Sequence, residues 1–340
     1  MTERFLVINV SRIGDTLLAT PAIRALAAAR PGCIIDCLGH PNRADVLRHL
    51  PFVRQVGEIT KKSAPFRGWL GGKTYDTALV YGFDEALVAY ALRVAKRVVA
   101  FRQADDKLNA RLFRVVEVPA FQSEHAVQQL LRLPEALGIA PAGLRLAYAT
   151  TPQETAWARQ TLEKDLPRNT TPGATPLIGL QIASFPTKGY RDWPLTHFIA
   201  LCDRIKSHWP NTHFLIFGGT EEHERTAALK MHLGPAATLY AGRLSLRETV
   251  SLMSLTDLYI GVDTGPTHLM STLDIPLVGL YHGFSPSRLI GPLAHPCAYL
   301  IDHPLAAPGC TTEAPMSDIT VDSVWQAVAQ ALTEHPPRLR

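Results

Sequence analysis

The sequence predicts an α/β chain folded as two doubly wound parallel sheets with a cleft between them. Three observations lead there. Short apolar runs alternate with helix-like patterns along almost the whole chain. The runs, such as Phe5-Leu-Val-Ile and Leu258-Tyr-Ile-Gly-Val, are nearly continuous, as in strands buried on both faces. A chain of 340 residues also exceeds what one core usually holds.

The first strand is expected at 5–10, a mostly apolar run followed by Ser11-Arg12. Similar runs place strands at 34–38, 77–81 and 97–101, interleaved with helical patterns at 17–29, 44–50, 85–94 and 125–137. In the second half strands are expected at 177–182, 213–217, 238–240, 258–262 and 277–281. Helices there are expected at 195–208, 221–231, 246–255, 267–273 and 321–333. Short runs separated by longer helices imply parallel strands joined by right-handed crossovers. The rhythm breaks between about 144 and 176. Leu166-Pro-Arg-Asn-Thr-Thr-Pro-Gly-Ala-Thr-Pro176, with three prolines and a glycine, reads as an interdomain linker. The expected domains are 1–165 and 166–340, with the last helix able to pack back on the first domain.

A hydrophobic share of 46% and a charged share of 19% are ordinary for a globular protein, so disorder is not the default. The net charge of +4 favours an anionic ligand or surface and is too weak to indicate nucleic acid. The five cysteines are scattered, with no Cys-x-x-Cys pair, and indicate neither a disulfide framework nor a zinc site. A reducing, cytoplasmic setting fits them. The N-terminal run reads as a strand rather than a signal peptide. No apolar stretch approaches the ~20 residues that cross a bilayer, so the expectation is a soluble or peripheral protein.

In doubly wound sheets ligands bind beyond the carboxyl ends of the strands, so the strand-to-helix loops carry the functional argument. Ser11-Arg12-Ile13-Gly14-Asp15-Thr16 follows the first strand, and Gly14 permits a tight turn. Asp15 reads either as a helix cap or as a general base. Asp263-Thr264-Gly265-Pro266-Thr267-His268 joins a strand to a helix. Its amides could hold a diphosphate, or Thr267 could simply cap the helix. Lys188 and Arg191 in the loop 183–194 could neutralise a leaving phosphate. In Gly218-Gly219-Thr220-Glu221-Glu222-His223-Glu224 a carboxylate could accept ribose hydroxyls, or serve only the first helical turn. The stretch 61–73, with Lys61, Lys62, Phe66, Arg67, Trp69 and three glycines, looks mobile. It could hold a phosphorylated, membrane-seated acceptor or be a solvated surface loop.

Together these loops resemble glycosyltransferase family 9, the bacterial lipopolysaccharide heptosyltransferases. The resemblance rests on the segment from Ser11 to Leu26, Trp193-Pro194, Gly218-Gly219 with its acidic helix start, Asp263-Thr-Gly-Pro-Thr-His268, and Leu273-Asp-Ile-Pro-Leu-Val-Gly-Leu-Tyr281. It implies a GT-B architecture and inverting heptose transfer from an ADP-heptose-like donor to a phosphorylated glycolipid acceptor at the inner membrane. It also implies Asp15 as base and Asp263, Thr264, Gly265 and His268 as the donor loop, with Lys188, Arg191, and Glu222 or Glu224 as further donor contacts. Ser11, Arg12, Gly14, Lys61, Lys62 and Arg67 would face the acceptor. No metal, cofactor or nucleic acid is expected. The chain departs from the family pattern in three places. Arg191 stands where a lysine is common, His282-Gly283-Phe284-Ser285-Pro286 replaces Gly-Pro-Thr, and a C-terminal cysteine pair is reduced to Cys310.

Two rival readings use the same scaffold, a nucleotide-sugar epimerase and a non-catalytic nucleotide-sugar-binding module. A dinucleotide oxidoreductase is poorly supported, because no Gly-x-Gly-x-x-Gly follows an expected strand.

Overall fold

A computed structural model describes residues 2–120, 122–166 and 175–338. The chain divides into two compact units, Met1–Ala149 and Thr150–Arg340. In the first, β1 (Arg4–Asn9), β2 (Ile34–Gly39), β3 (Gln55–Glu58), β4 (Tyr75–Tyr81), β5 (Ala95–Phe101) and β6 (Arg114–Val116) form one sheet. Its order is β3-β2-β1-β4-β5-β6, and every pairing is parallel. The second unit holds β7 (Leu177–Gln181), β8 (His213–Phe217), β9 (Ala237–Leu239), β10 (Leu258–Val262), β11 (Leu277–Tyr281) and β12 (Ala298–Asp302). These are again parallel, in the order β12-β11-β10-β7-β8-β9, so both sheets follow the same path. The winding reverses between β1 and β4 in one unit and between β7 and β10 in the other. Those two switch points are where such sheets leave room for ligands.

The nine expected strands are present, and their central members are buried along nearly their whole length. The other three, β3, β6 and β12, are edge strands. Gln-Val-Gly-Glu is short and largely polar and Arg-Val-Val is only three residues long, so neither carries the apolar run that marks a central strand. The strand β12 does carry one, Ala298-Tyr-Leu-Ile301, and is only partly buried. The pattern at 17–29 is two helices, Ile13–Leu18 and Thr20–Ala29, because Pro21 starts a new helix. At 44–50 there is only a 3₁₀ turn, Ala44–Leu47.

The break expected between 144 and 176 contains a helix, Pro152–Asp165, opened by a reciprocal cap between Thr151 and Glu154. Its side chains fasten it to the second unit. Ala158 and Leu162 join that core, Arg247 Nη2 donates to Glu154 Oε2 at 2.9 Å, and Tyr240 donates to Asp165 Oδ2 at 2.9 Å. The units therefore divide ahead of this helix, whereas the proline-rich stretch suggests a boundary at 165/166. Residues 167–174 of that stretch lie outside the described residues. The final helix, Val321–Glu334, packs on the helix Leu195–His208 and on β11 and β12 of its own unit.

Trp193 ties the start of the helix Leu195–His208 to this C-terminal segment. It is fully buried, meets Phe198 edge-on at 4.9 Å, and donates from Nε1 to the Ile319 carbonyl at 2.7 Å. Trp193→Phe keeps a ring but leaves that carbonyl unpaired. The expected cost is about 1–3 kcal/mol, read as a lower Tm in thermal unfolding. An unchanged Tm would show that this hydrogen bond does not hold the segment.

Candidate active site

At the switch point of the second unit, β7 runs into the loop carrying Lys188 and Arg191, and its neighbour β10 runs into Asp263. The loop is fixed at both ends. Ser184 offers its amide at 2.7 Å and its hydroxyl at 2.6 Å to Asp192 Oδ1. From the adjacent helix His223–Leu233, Arg225 donates to the Ile182 and Trp193 carbonyls. Burial lowers the Arg225 pKa and raises that of Asp192. Between these anchors Arg191 reaches the end of β10. Its Nη1 lies 2.8 Å from Asp263 Oδ2 and 3.3 Å from the Asp263 carbonyl.

Asp263 is 1% exposed. Burial alone would raise its pKa, but His268, Arg191 and Ser285 together hold the carboxyl below its ordinary value. His268 Nε2 is 3.5 Å from Oδ1, an oxygen with no hydrogen-bond partner among the described residues. Ser285 donates to Oδ2 at 3.4 Å. A charge in this position cancels much of the field of Arg191. The expected two-cation cradle is thus a paired Arg191 beside Lys188. The Lys188 ammonium, 5.6 Å from the Tyr190 ring, makes no ion pair among the described residues.

Thr264 occupies the cap position of the helix Gly265–Met270, with no side-chain cap bond. Thr267 is not the cap. It lies inside the helix, buried, and donates back to the Val262 carbonyl at 2.6 Å.

Tyr190 extends this cluster into the segment where the sequence departs from the family pattern. Its ring meets His282 edge-on at 5.0 Å and Phe284 at 6.3 Å, and its hydroxyl accepts from Arg191 Nε at 3.3 Å. His282 donates from Nε2 to the Ala314 carbonyl at 2.7 Å and accepts from the Phe284 amide at Nδ1. These bonds require the neutral ring, and burial lowers its pKa to match. A Cβ on Gly283 would lie 2.6 Å from Cys310 Sγ. The departures at Arg191, at 282–286 and at Cys310 are therefore joined by contacts rather than scattered.

Glu222 is half-buried and takes the Gly219 amide with Oε2, the helix-start role of an acidic residue. Burial raises its pKa. Glu224, in the first turn of the next helix, is exposed.

In the first unit the loop after β1 enters the helix Ile13–Leu18 directly. Gly14 is its second residue, buried and with no positive φ, so it makes no left-handed turn. Arg12 is the cap residue and Asp15 lies in the first turn, exposed, with no side-chain hydrogen bond or ion pair among the described residues. The cap role is not what the Asp15 carboxylate performs. Other groups hold the turn. Asn9 Nδ2 donates to the Asp15 carbonyl at 3.3 Å, Thr16 Oγ1 to the Arg12 carbonyl at 2.8 Å, and Arg43 Nη1 to the Ser11 carbonyl at 3.3 Å.

Lys61 and Lys62 are exposed, while Arg67 donates to the Glu58 carbonyl. The segment is anchored, not loose. Arg93 donates to the Arg67 carbonyl at 2.9 Å and the Ala64 carbonyl at 2.7 Å.

The model of glycosyltransferase family 9 (heptosyltransferase) matches residues 66–311. The chain belongs to glycosyltransferase family 9. Among relatives of this family, it is similar to lipopolysaccharide heptosyltransferase 1 of Pseudomonas aeruginosa, at 26% identity over 83% of this chain and 79% of the relative. It is similar to lipopolysaccharide heptosyltransferase 2 of Salmonella typhimurium at 26% identity over 86% of each. The fold matches that of a family 9 glycosyltransferase from Veillonella parvula, with a TM-score of 0.83, 19% identity and 98% of each chain covered. It also matches the ADP-heptose LPS heptosyltransferase II of E. coli, with a TM-score of 0.77, 20% identity, and 97% of this chain and 99% of that one covered. The GT-B architecture follows from these matches and from the paired sheets.

Tyr190 and Arg225 are not singled out by the sequence motifs, and His282 and Ser285 stand out there only as part of the departing segment 282–286, with no role assigned. The signal of these two is their place in the loop leaving β11, the strand next to β10. Arg225 is a lone cation on a helix, and nothing in its sequence surroundings distinguishes it from a solvated one.

Proposed function

We propose that this family 9 chain transfers a heptose from an ADP-linked donor to a phosphorylated lipopolysaccharide-type acceptor, inverting the anomeric centre without a metal. The observation that carries the reading is the meeting of Arg191 and His268 at Asp263, with Lys188 on the same loop as Arg191, at one switch point in a member of this family. The acceptor oxygen attacks the anomeric carbon opposite the diphosphate and Asp15 takes its proton. The bond from that carbon to the phosphate oxygen breaks, and its electron pair leaves with ADP. Lys188 and Arg191 offset the charge that develops there, the compensation a divalent ion would otherwise supply. Asp263 aims the Arg191 fork, His268 and the amides near Thr264 and Gly265 face the donor, and Glu222 or Glu224 meets the ribose. Ser11, Arg12, Lys61, Lys62 and Arg67 meet acceptor phosphates.

The test is calorimetric titration with ADP, UDP and GDP, followed by mass-spectrometric assay with ADP-heptose and a lipid A-type acceptor, with and without EDTA. The expected result is selective ADP binding and a heptosylated acceptor that forms equally in EDTA. Conversion of the donor without acceptor would instead identify an epimerase. Binding without either product would identify a non-catalytic module.

A further inference from the structure

Three of the five consecutive residues 66–70 are large apolar groups left in solvent. Phe66 is 85% exposed, Trp69 70% and Leu70 95%. Other exposed apolar residues of this unit, Phe83, Phe113 and Val118, stand apart in sequence, as single exposed groups commonly do. The exposure does not come from a loose chain. Besides its two bonds to the loop's carbonyls, Arg93 sits 4.5 Å from the Trp69 ring centre. Trp69 Nε1 donates to the Pro65 carbonyl at 2.7 Å, and Ala64 is buried in the core beside Ile59. Gly68, at φ 77°, lies so close to the helix Glu85–Val94 that a Cβ would stand 2.7 Å from Val94 Cγ1. A fastened loop that keeps three large side chains in water is stabilised by any partner that removes them from it.

The charge around the patch selects the partner. Lys61, Lys62, Arg67 and Lys73 flank it, all exposed, and 59–74 contains no acidic residue. The three lysines make no ion pair among the described residues, and Asp76, the next carboxylate, is taken by Lys96 at 2.8 Å. A second copy of the chain is a poor occupant, because a two-fold contact would set these four cations against themselves. Anionic lipid headgroups complement them. Among the described residues no helix is long and apolar enough to cross a membrane, so the contact would be superficial.

We propose that 61–73 seats the chain on an anionic lipid bilayer. Phe66, Trp69 and Leu70 enter the boundary between headgroups and acyl chains, and the four cations meet the lipid phosphates. The proposal shares Lys61, Lys62 and Arg67 with the acceptor side of the sugar-transfer reading, but vesicles that hold neither donor nor acceptor test it separately.

The experiment is co-sedimentation of the full chain with vesicles of phosphatidylglycerol and phosphatidylethanolamine, against phosphatidylcholine alone. Binding is expected to the anionic vesicles, weakening as salt rises. The triple variant Phe66→Ser, Trp69→Ser, Leu70→Ser should lose on the order of a hundredfold in partitioning. Leu70→Ser alone, at the most exposed position, provides the readout if the triple variant does not fold. Each lysine replaced by serine should cost on the order of fivefold. Undiminished binding by the serine variants overturns the proposal, as does absence of binding by the unmodified chain. So does a dimer, seen by analytical ultracentrifugation, that the same substitutions dissociate.

Discussion

Changing Asp15 to asparagine is expected to slow heptose transfer by about two to four orders of magnitude, the usual contribution of a positioned general base. ADP affinity and Tm should stay where they are. The argument is one of local physics. The carboxylate is exposed and engages no group among the described residues, so the amide that replaces it breaks no bond of the fold. The turn is held instead by Asn9, Thr16 and Arg43, each through a backbone carbonyl. Asparagine keeps the shape and removes the carboxylate's charge, and with it the capacity to take a proton. Single-turnover kinetics with ADP-heptose and acceptor separate the outcomes. A variant as fast as the unmodified chain would move the base elsewhere, and a variant that melts early would make Asp15 structural.

The sequence made the doubly wound units legible because their central strands are apolar throughout, and burial on both faces leaves no other pattern. It lost the edges. The strands β3 and β6 are edge strands, only partly buried, and at four and three residues they are too short to show a periodic pattern. The helix Pro152–Asp165 was signalled by Thr151, Pro152 and Glu154, yet it buries few apolar residues and shows little amphipathic rhythm. In the site, the loops were legible because glycines, caps and strand ends mark them. Pairings between loops were not. Nothing along the chain shows that Arg191 and Asp263, 72 residues apart, share an ion pair. That contact follows from sheet order, since β7 and β10 are neighbours only across the switch point. The same holds for Tyr190 against His282, and for Arg93, which converts an apparently mobile basic loop into an anchored one.

Removing Arg191 is expected to be more damaging than any other change at the donor loop, and its damage should depend on pH. Asp263 is 1% exposed and Arg191 18% in its side chain, so Arg191→Ala leaves a buried carboxylate without its permanently charged partner. Loss of one partner of a buried pair costs about 3 kcal/mol or more at neutral pH. ADP binding should weaken with it. In the unmodified protein the Asp263 carboxyl lies below its ordinary value, so its contribution to stability is present above the unfolded pKa of about 3.9. That contribution is lost as pH falls through the lower folded value. In the variant burial acts with one opponent fewer, and the folded carboxyl rises. The stability gap between the two proteins is then widest near neutrality and narrows as the pH is lowered, because the variant gains by taking up the proton. Urea unfolding at about pH 7 and about pH 4.5 measures this directly. An equal gap at the two pH values would mean that the ionised Asp263 is not what Arg191 supports. Arg191→Met combined with Asp263→Asn supplies the remaining check. With both charges gone no buried ion is stranded, so the double variant should recover much of the stability lost by Arg191→Ala. ADP binding should stay weak, because the guanidinium that meets the diphosphate is still missing.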